Sequence, residues 1–483
     1  MWLALGNSSG EDMRLGCPPN CVIILAIAAK LPIPRSAIPT IIALVYAPTY
    51  VVWPDLGAHI DDEAAMEQQG RTVYLFTETF PFPGPDDPFL PDEVALLADV
   101  FDLVLVPTLF VPGEPAPLTP GVKVCSDLRE WSRLPRVRLA SLIRAALSPI
   151  LYREILRQRP FSLAPQALAT MLIRLSRSLQ VETWVRRRLP KDVGHDPALV
   201  YSWWSFPPAW GVARALRGTG VPVVARAHGY DLFAEQERIG FVPFQRYLVE
   251  GAGLIVTASN QGADYLRAEY PDLATKITTS YLGTADPGFL NGPSTDGVLR
   301  IVTCSSNTPV KRVDLLARSL SHLSVDSPGI DVHWTHIGSG PLAGDLHELI
   351  SKLPGLTRRS TLAGEMAPTA VKQWLRSNPI DLFVNVSSSE GLPVSLMEAA
   401  SFGIPMMATS VGGMPEIVSE ANGILLEANP SPESIATALE AFARLTHEER
   451  ASKRAASRAT FERDFDAAVN YATFITLLKA MAA

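Results

Sequence analysis

Short apolar segments separated by helix-length polar stretches recur along most of the chain. The first, Thr72–Thr77, precedes a predicted helix from Asp92, which can act as its N-cap, to Phe101. Further predicted strands are Leu103–Val106, Leu199–Trp203, Val223–Ala225, Leu254–Ala258, Ile301–Cys304, Asp331–Ile337, Leu382–Val386 and Met406–Ala408. Because strands that alternate with helices form parallel sheets, this order predicts an α/β fold in two similar halves. The turn-rich segment 291–297 is the predicted linker between them.

Chain length and composition agree with two globular domains. A chain of 483 residues exceeds one ordinary core, and 47% hydrophobic with 19% charged residues is typical of folded proteins. The net charge of −7 indicates no overall nucleic-acid footprint. The four cysteines are too few and too scattered for a disulfide framework, which favours a reducing compartment.

The first 65 residues do not fit this pattern. Their apolar runs are interrupted by Lys30, Arg35 and several prolines, and neither run reaches the ~20 residues that a membrane-spanning helix needs. Met66 opens a more convincing start just ahead of the first strand. We interpret residues 1–65 as a disordered extension or an incorrectly assigned start, with a membrane-surface anchor as the alternative.

The segment Arg129–Lys191 is strongly basic and is called the basic region below. It contains fourteen Lys and Arg residues against three Glu, interleaved with Leu, Ile, Trp and Phe. Such a basic amphipathic region can lie on an anionic membrane or meet a lipid diphosphate. A solvated helical face with an arginine bias is the alternative.

The strongest candidate chemistry lies in residues 387–423. Glu390 and Glu398 stand eight positions apart, and the Gly-Leu-Pro step between them predicts a helix with Pro393 at its first position. The unpaired N–H groups of such a helix start favour an anion, and Gly391 allows a ligand to approach closely. On a helix the two carboxylates would lie about 12 Å apart. A glycosidase pair needs roughly 5 to 10 Å, so this spacing favours two carboxylates that hold opposite ends of one elongated ligand.

Candidate residues also follow other predicted strands, where ligands of open parallel sheets bind. His228 can donate to a sugar hydroxyl or act in proton transfer, or it can bond a loop carbonyl. Asp231 is more typical of a helix N-cap than of a catalyst. Lys311 can supply a positive charge to a diphosphate. The short donors beside it are Ser305, Ser306 and Asn307.

The segment Gly338–Ala343 matches a dinucleotide-binding glycine pattern if Ala343 replaces the last glycine, and Glu365 lies near the expected acidic position. Pro341 inside the tight turn argues against it. We therefore predict a plain turn from strand to helix.

Together these motifs resemble the family 4 glycosyltransferases of the GT-B type. In the second half the resemblance rests on the Glu390-x7-Glu398 spacing, Val411–Glu416, Asn422-Gly423, Pro309–Leu316 and His336–Leu342. In the first half, Tyr74–Glu78 and Arg226–Asp231 are similar to the bacterial exopolysaccharide branch of colanic-acid and amylovoran enzymes. The match covers about residues 72–480.

The resemblance implies two Rossmann-like domains that face each other across a cleft. The implied parts are an acceptor-binding domain at 66–290, a nucleotide-sugar-binding domain at 297–455 and a C-terminal segment at 456–483. In that last segment a helix, Phe461–Leu478, would cross back to the first domain. The implied activity is retaining transfer of a sugar from a UDP- or GDP-sugar to a lipid-linked oligosaccharide in exopolysaccharide synthesis, generally without a bound metal.

The resemblance also implies roles for matching residues of the second domain. Glu390 corresponds to the carboxylate near the transferred sugar, and Glu398 corresponds to the one that holds the nucleotide ribose. Gly391 and Leu392 would offer backbone N–H groups to sugar or phosphate.

Charge stabilisation of the leaving diphosphate is where this chain departs from the family. Lys311 would neutralise the diphosphate, and His228 would contact the donor sugar from the other domain. The arginine that many members carry five positions before the lysine is Ser306 here. Stabilisation then rests on Lys311, the helix start and either Arg312 or Arg226.

Two other classes remain open from the sequence. A GT-B-fold nucleotide-sugar epimerase or hydrolase would need no acceptor and would leave the basic region without a purpose. A non-catalytic partner of a polysaccharide assembly complex is kept open by Ser306. The expected location is cytoplasmic, either free or peripheral at the inner face of the plasma membrane.

Overall fold

The computed structural model describes residues 71–482 except 85–89, 190–197, 230, 328 and 354. The predictions about residues 1–65 and about a start at Met66 lie outside the described residues, as does Lys191 at the end of the basic region.

Two parallel sheets organise the chain. The strands are β1 Thr72–Thr77, β2 Asp102–Pro107, β3 Lys123–Val124, β4 Leu199–Ser202, β5 Val223–Ala227, β6 Leu254–Thr257, β7 Ile277–Thr279, β8 Val298–Cys304, β9 Asp331–Ile337, β10 Ser360–Gly364, β11 Leu382–Asn385, β12 Met406–Thr409 and β13 Gly423–Leu426. The first sheet has the order β3-β2-β1-β4-β5-β6-β7, and the second has the order β10-β9-β8-β11-β12-β13. Every strand that the apolar pattern predicted is present, and the predicted pair of Rossmann-like domains is confirmed.

Helices cover the faces of both sheets. They are α1 Leu90–Ala98, α2 Asp127–Ser132, α3 Pro135–Ala146, α4 Pro149–Arg157, α5 Pro165–Arg188, α6 Trp210–Ala215, α7 Gln245–Gly251, α8 Asn260–Glu269, α9 Val313–Asp326, α10 Ala343–Lys352, α11 Pro368–Ser377, α12 Val394–Ser401, α13 Met414–Ile417, α14 Pro432–Ala443, α15 His447–Thr460 and α16 Ala467–Met481. Because helices lie on both faces, the central strands are buried on both sides and read as continuous apolar runs. The turn 338–342 leads from β9 to α10, as predicted.

The chain crosses back to the first domain at its C-terminus, as predicted, but not as one helix. α15 ends in a single wide turn at Phe461–Phe465, and the side chain of Asp466 then caps α16 by accepting from the Ala468 N–H at 2.9 Å. A capping carboxylate marks the start of a new helix, so the predicted continuous helix Phe461–Leu478 is wrong. α16 packs on the first sheet, where the rings of Phe474 and Tyr201 lie 5.2 Å apart.

The predicted linker is anchored to the second domain. Asn291 is buried, and its Nδ2 donates to the carbonyl oxygens of Leu375 and Asn378, both at 2.7 Å. The domain boundaries inferred from the sequence remain predictions.

Candidate active site

Lys311 and Glu390 meet at the carboxyl edge of the second sheet. β8 and β11 are parallel neighbours, so the loops that follow them emerge side by side. Lys311 Nζ lies 2.6 Å from Glu390 Oε1, and the Ser388 N–H donates to the Val310 carbonyl at 2.8 Å. The strand order therefore brings together two residues that are 79 positions apart in the sequence.

Only one oxygen of Glu390 is held by the protein. Oε1 also accepts from Ser387 Oγ at 2.7 Å and from Asn385 Nδ2 at 3.3 Å. Oε2 accepts from no residue in the part of the chain that the structure describes. The carboxylate is thus fixed in orientation and retains a free acceptor for a ligand hydroxyl. Sequence reasoning missed Asn385 and Ser387, which flank a recognised motif but carry no distinguishing spacing.

The helix after Glu390 begins one residue later than predicted. Pro393 has extended backbone angles (φ −73°, ψ 116°) and precedes α12, which starts at Val394. The consequence for anion binding is unchanged, because the N–H groups of Gly391 and Leu392 donate to no other described residue.

The absence of a side chain at Gly391 allows the two domains to touch. A Cβ at this position would lie 2.7 Å from the His228 carbonyl oxygen of the first domain. On the opposite side, Gly412 has φ +53°, and a Cβ there would lie 1.9 Å from the Glu390 carbonyl oxygen. The sequence predicted that Gly391 allows a ligand to approach; the approaching group in this structure is the backbone of the other domain.

His228 lies between two indole rings. Its ring centroid is 4.8 Å from that of Trp203 and 4.6 Å from that of Trp204. Burial, and then the charge of Arg226, hold the pKa of His228 well below its usual value, so the imidazole is neutral. Both ring nitrogens are buried and have no hydrogen-bond partner among the described residues. An unpaired buried polar atom is costly, so the imidazole keeps its full hydrogen-bonding capacity for a ligand or water.

Asp231 positions the His228 loop. Its carboxylate accepts from the His228 N–H at 2.8 Å and from the Ser205 N–H and Oγ, both at 2.9 Å. The residue joins the loops after β4 and β5 and caps no helix, so the expected N-cap role is wrong. Burial raises its pKa even though these hydrogen bonds oppose the change.

Glu398 lies on α12, away from the pairing of Lys311 with Glu390. Burial raises the pKa of Glu398 to about 7, although the charge of Lys372 opposes this. The pKa of Cys304, at the end of β8, is raised to about 12 by burial and then by the Glu398 charge, which places the carboxylate beside that strand end. The Glu398 carboxylate accepts no hydrogen bond from a described residue, so it is available to a ligand.

The predicted donors after β8 occupy different environments. Ser306 is exposed, and Ser305 is half-buried and donates its N–H to the Ile337 carbonyl at 3.0 Å. Asn307 is buried and its Oδ1 contacts His336 Nε2. Burial lowers the pKa of His336 to about 4, so Asn307 accepts from a neutral ring. These contacts fix the loop, and the roles of all three residues in donor binding remain predictions.

The two arginines considered for the leaving group are engaged elsewhere. Arg312 donates to the carbonyl oxygens of Val386 at 2.6 Å and Ser387 at 2.8 Å, which holds the loop that carries Glu390. Arg226 is fully buried and lies 3.4 Å from Glu93 beneath α16. The proposal that Arg226 stabilises the diphosphate is therefore wrong, because the charge is sealed in the core of the first domain.

Glu416 joins the two domains. One carboxylate oxygen accepts from the Asn260 N–H at 2.9 Å and from Tyr281 Oη at 2.6 Å, and the other accepts from the Gln261 N–H at 2.9 Å. The positive end of the α8 helix dipole stabilises a carboxylate at the start of that helix. The Val411–Glu416 motif was recognised in the sequence, but this contact depends on the closed domain arrangement.

The basic region folds into α2 to α5, and its arginines divide into two groups. Arg129 is buried against Phe82 and Phe110, and Arg174 pairs with Glu237. Others are exposed beside exposed apolar side chains. Those side chains are Leu139, Tyr152, Leu156, Phe161, Leu163, Leu168 and Ile173. In the described ranges no helix has the length and apolar character to cross a membrane.

The second domain matches a known family model. A model described as glycosyl transferases group 1 matches residues 299–444. The putative colanic acid biosynthesis glycosyltransferase WcaL of Escherichia coli K12 is 27% identical over 288 residues, covering 57% of this chain and 69% of that protein. Its Salmonella typhimurium counterpart is 25% identical, with 66% of its length covered, so the chain spans about two thirds of these relatives. The O-antigen biosynthesis glycosyltransferase WbnH of Escherichia coli is 32% identical over 120 residues, covering 25% of this chain and 31% of that protein.

Solved structures share the fold over nearly their whole length. The lipopolysaccharide outer core galactosyltransferase WaaB in its apo form has a TM-score of 0.60 at 13% identity, covering 83% of this chain and 98% of that one. HepE of Anabaena in complex with UDP-glucose has a TM-score of 0.57 at 16% identity, covering 85% of this chain and 100% of the other. At these identities the likeness establishes the fold alone, and the predicted GT-B fold is confirmed.

Proposed function

We propose that the protein is a retaining, family 4-like glycosyltransferase, on the premise that residues 299–444 match the model described as glycosyl transferases group 1. It takes a UDP- or GDP-sugar as donor and a lipid-linked oligosaccharide as acceptor in cell-surface polysaccharide synthesis. The observation that supports this best is the contact of Lys311 with Glu390 on the second domain, directly below the His228 loop of the first. Support for the donor class comes from HepE, whose structure contains UDP-glucose.

The proposed roles follow from charge and hydrogen-bonding capacity. Breaking a glycosyl–phosphate bond develops negative charge on the diphosphate, and Lys311 with the N–H groups of Gly391 and Leu392 stabilises that charge. Because these groups carry the positive charge, we expect transfer without a bound metal ion. Glu390 Oε2 accepts a sugar hydroxyl, and Glu398 accepts from the ribose.

The first domain completes the site. The unpaired imidazole of His228 hydrogen-bonds the donor sugar in its neutral form. The close contact of its carbonyl with Gly391 excludes water, which suppresses hydrolysis of the donor. The exposed arginines and apolar side chains of the basic region support peripheral binding at the cytoplasmic face of a membrane that carries the acceptor.

The test is a panel of nucleotide sugars incubated with lipid-diphosphate glycans, with product mass analysis and with EDTA in parallel. We expect sugar transfer that depends on acceptor and is insensitive to EDTA. Equal consumption of nucleotide sugar without acceptor would instead establish a hydrolase. Lys311→Ala and Glu390→Gln should each abolish most transfer, whereas Glu365→Gln, an exposed position after β10, is the matched control and should not.

A further inference from the structure

A cavity outside the candidate active site lies in the first domain, at the carboxyl ends of β1 and β2. Its volume is about 390 Å³, within the range of small-molecule sites. Glu78 after β1 and Thr108 after β2 line it, and α3 and α5 of the basic region form its wall. Ligands of open parallel sheets bind at this edge. The turn at Pro207–Pro208 also lines the cavity and lies close in sequence to Ser205, whose N–H donates to the Asp231 carboxylate of the His228 loop.

Two arginines on this wall have no acidic partner in the described part of the chain. Arg138 on α3 and Arg177 on α5 both line the cavity and are exposed. Arg138 makes one long contact, with the Ser132 carbonyl at 3.4 Å. By contrast, Arg174 and Arg186 on α5 pair with glutamates. Among the described residues that line the cavity, Glu78 is the one acidic side chain, so the two guanidinium groups leave a net positive charge that favours an anion, and their planar geometry matches phosphate.

Apolar side chains lie on the same two helices. Leu142 and Ile173 line the cavity, and Ile173 is 50% exposed. Leu139, next to Arg138, is 59% exposed. A ligand that satisfies both features carries phosphate groups attached to an apolar chain. Neither a free nucleotide nor an uncharged glycan would use the arginines and the apolar side chains together.

We propose that this cavity binds the diphosphate of the lipid-linked acceptor, with Arg138 and Arg177 on the phosphates and Leu142 and Ile173 on the first carbons of the lipid. The inference rests on the proposed glycosyltransfer and specifies where the acceptor is held. The acceptor glycan then extends along the carboxyl edge of the sheet toward His228. The arrangement selects acceptors by their diphosphate and leaves donor binding to the second domain.

Binding of farnesyl diphosphate to the full chain tests the proposal, with UDP or GDP saturating so that the donor site is occupied. The double variant Arg138→Gln/Arg177→Gln should bind about tenfold or more weakly, because two charge-assisted contacts are lost. The matched control Arg153→Gln/Arg159→Gln, at exposed arginines outside the cavity, should stay within about twofold. Ile173→Ser should weaken the binding of farnesyl diphosphate and leave the binding of inorganic diphosphate unchanged.

Equal losses in the cavity and control variants would mean non-specific attraction to the basic region and would overturn the proposal. An unchanged dissociation constant in the cavity variant would overturn it as well. Farnesol, which lacks phosphate, checks the fold of the cavity variant and should bind it as it binds the unmodified protein. Sugar transfer separates the two hypotheses. Normal transfer by the Arg138→Gln/Arg177→Gln variant refutes the cavity proposal alone, whereas failure of the unmodified protein to transfer sugar to any acceptor refutes the proposed function.

Discussion

We predict that Glu398 makes nucleotide binding depend on pH. Its pKa of about 7 means that about one tenth of the carboxyl is ionised at pH 6 and about nine tenths at pH 8. An ionised carboxylate accepts ribose hydroxyl hydrogen bonds better than the protonated acid. If binding requires the ionised form, the dissociation constant should fall about tenfold from pH 6 to pH 8, equal to about 1.4 kcal/mol.

The same group affects stability with a definite sign. Since the folded-state pKa lies above the ordinary value of 4.5, the carboxyl contributes stability that is complete below pH 4.5 and is lost as the pH rises through about 7. The loss is at most about 3 kcal/mol. Glu398→Gln should therefore make the free protein more stable at pH 8 while it weakens nucleotide binding.

Calorimetry with UDP-glucose between pH 6 and 8 measures this, in buffers of different ionisation enthalpy to count released protons. UDP-glucose is preferable to UDP, whose terminal phosphate titrates near pH 6. Glu398→Gln should bind weakly and independently of pH, and Glu365→Gln should behave like the unmodified protein. The reasoning is refuted if the unmodified protein binds equally at both pH values, or if Glu398→Gln keeps the full pH dependence.

Four further substitutions test other contacts. His228→Gln should lower kcat/KM about tenfold or more through loss of a hydrogen bond. The shape of the pH–rate profile between pH 6 and 8 should not change, because the pKa of His228 lies well below that range. Disappearance of an ionisation from the profile of the variant would contradict this. Gly391→Ala should lower kcat and enlarge the radius of gyration in solution scattering, since its Cβ meets the first domain at 2.7 Å; unchanged scattering would argue against closure at this contact. Glu416→Gln should raise KM for the donor by favouring an open arrangement of the two domains. A normal KM with normal scattering would show that Glu416 does not hold the domains together. Glu93→Gln leaves Arg226 buried and unpaired and should lower the free energy of unfolding in urea by about 3 to 5 kcal/mol; a loss below about 1 kcal/mol would mean that Arg226 finds another partner.

The strands that the sequence failed to predict are the four at the sheet edges. They are β3, β7, β10 and β13. Edge strands are covered less completely than central ones, so they need no continuous apolar run; both residues of β3 are exposed, and no residue of β10 is fully buried. Burial on both faces forces the apolar pattern on the central strands, which is why all of those were predictable.

The sequence by itself determined the class of fold and the position of Lys311, Glu390 and Glu398 after strands or on the helix that follows, since local apolar runs and motif spacing are local properties. Only the tertiary structure decided that Gly391 touches the His228 loop and that Glu416 joins the domains. It also decided that Arg226 is buried with Glu93, while Arg138 and Arg177 share an open cavity. The sequence does not distinguish a buried arginine from one that lines a cavity, because the role of each arginine depends on which groups remote parts of the chain bring within a few ångströms.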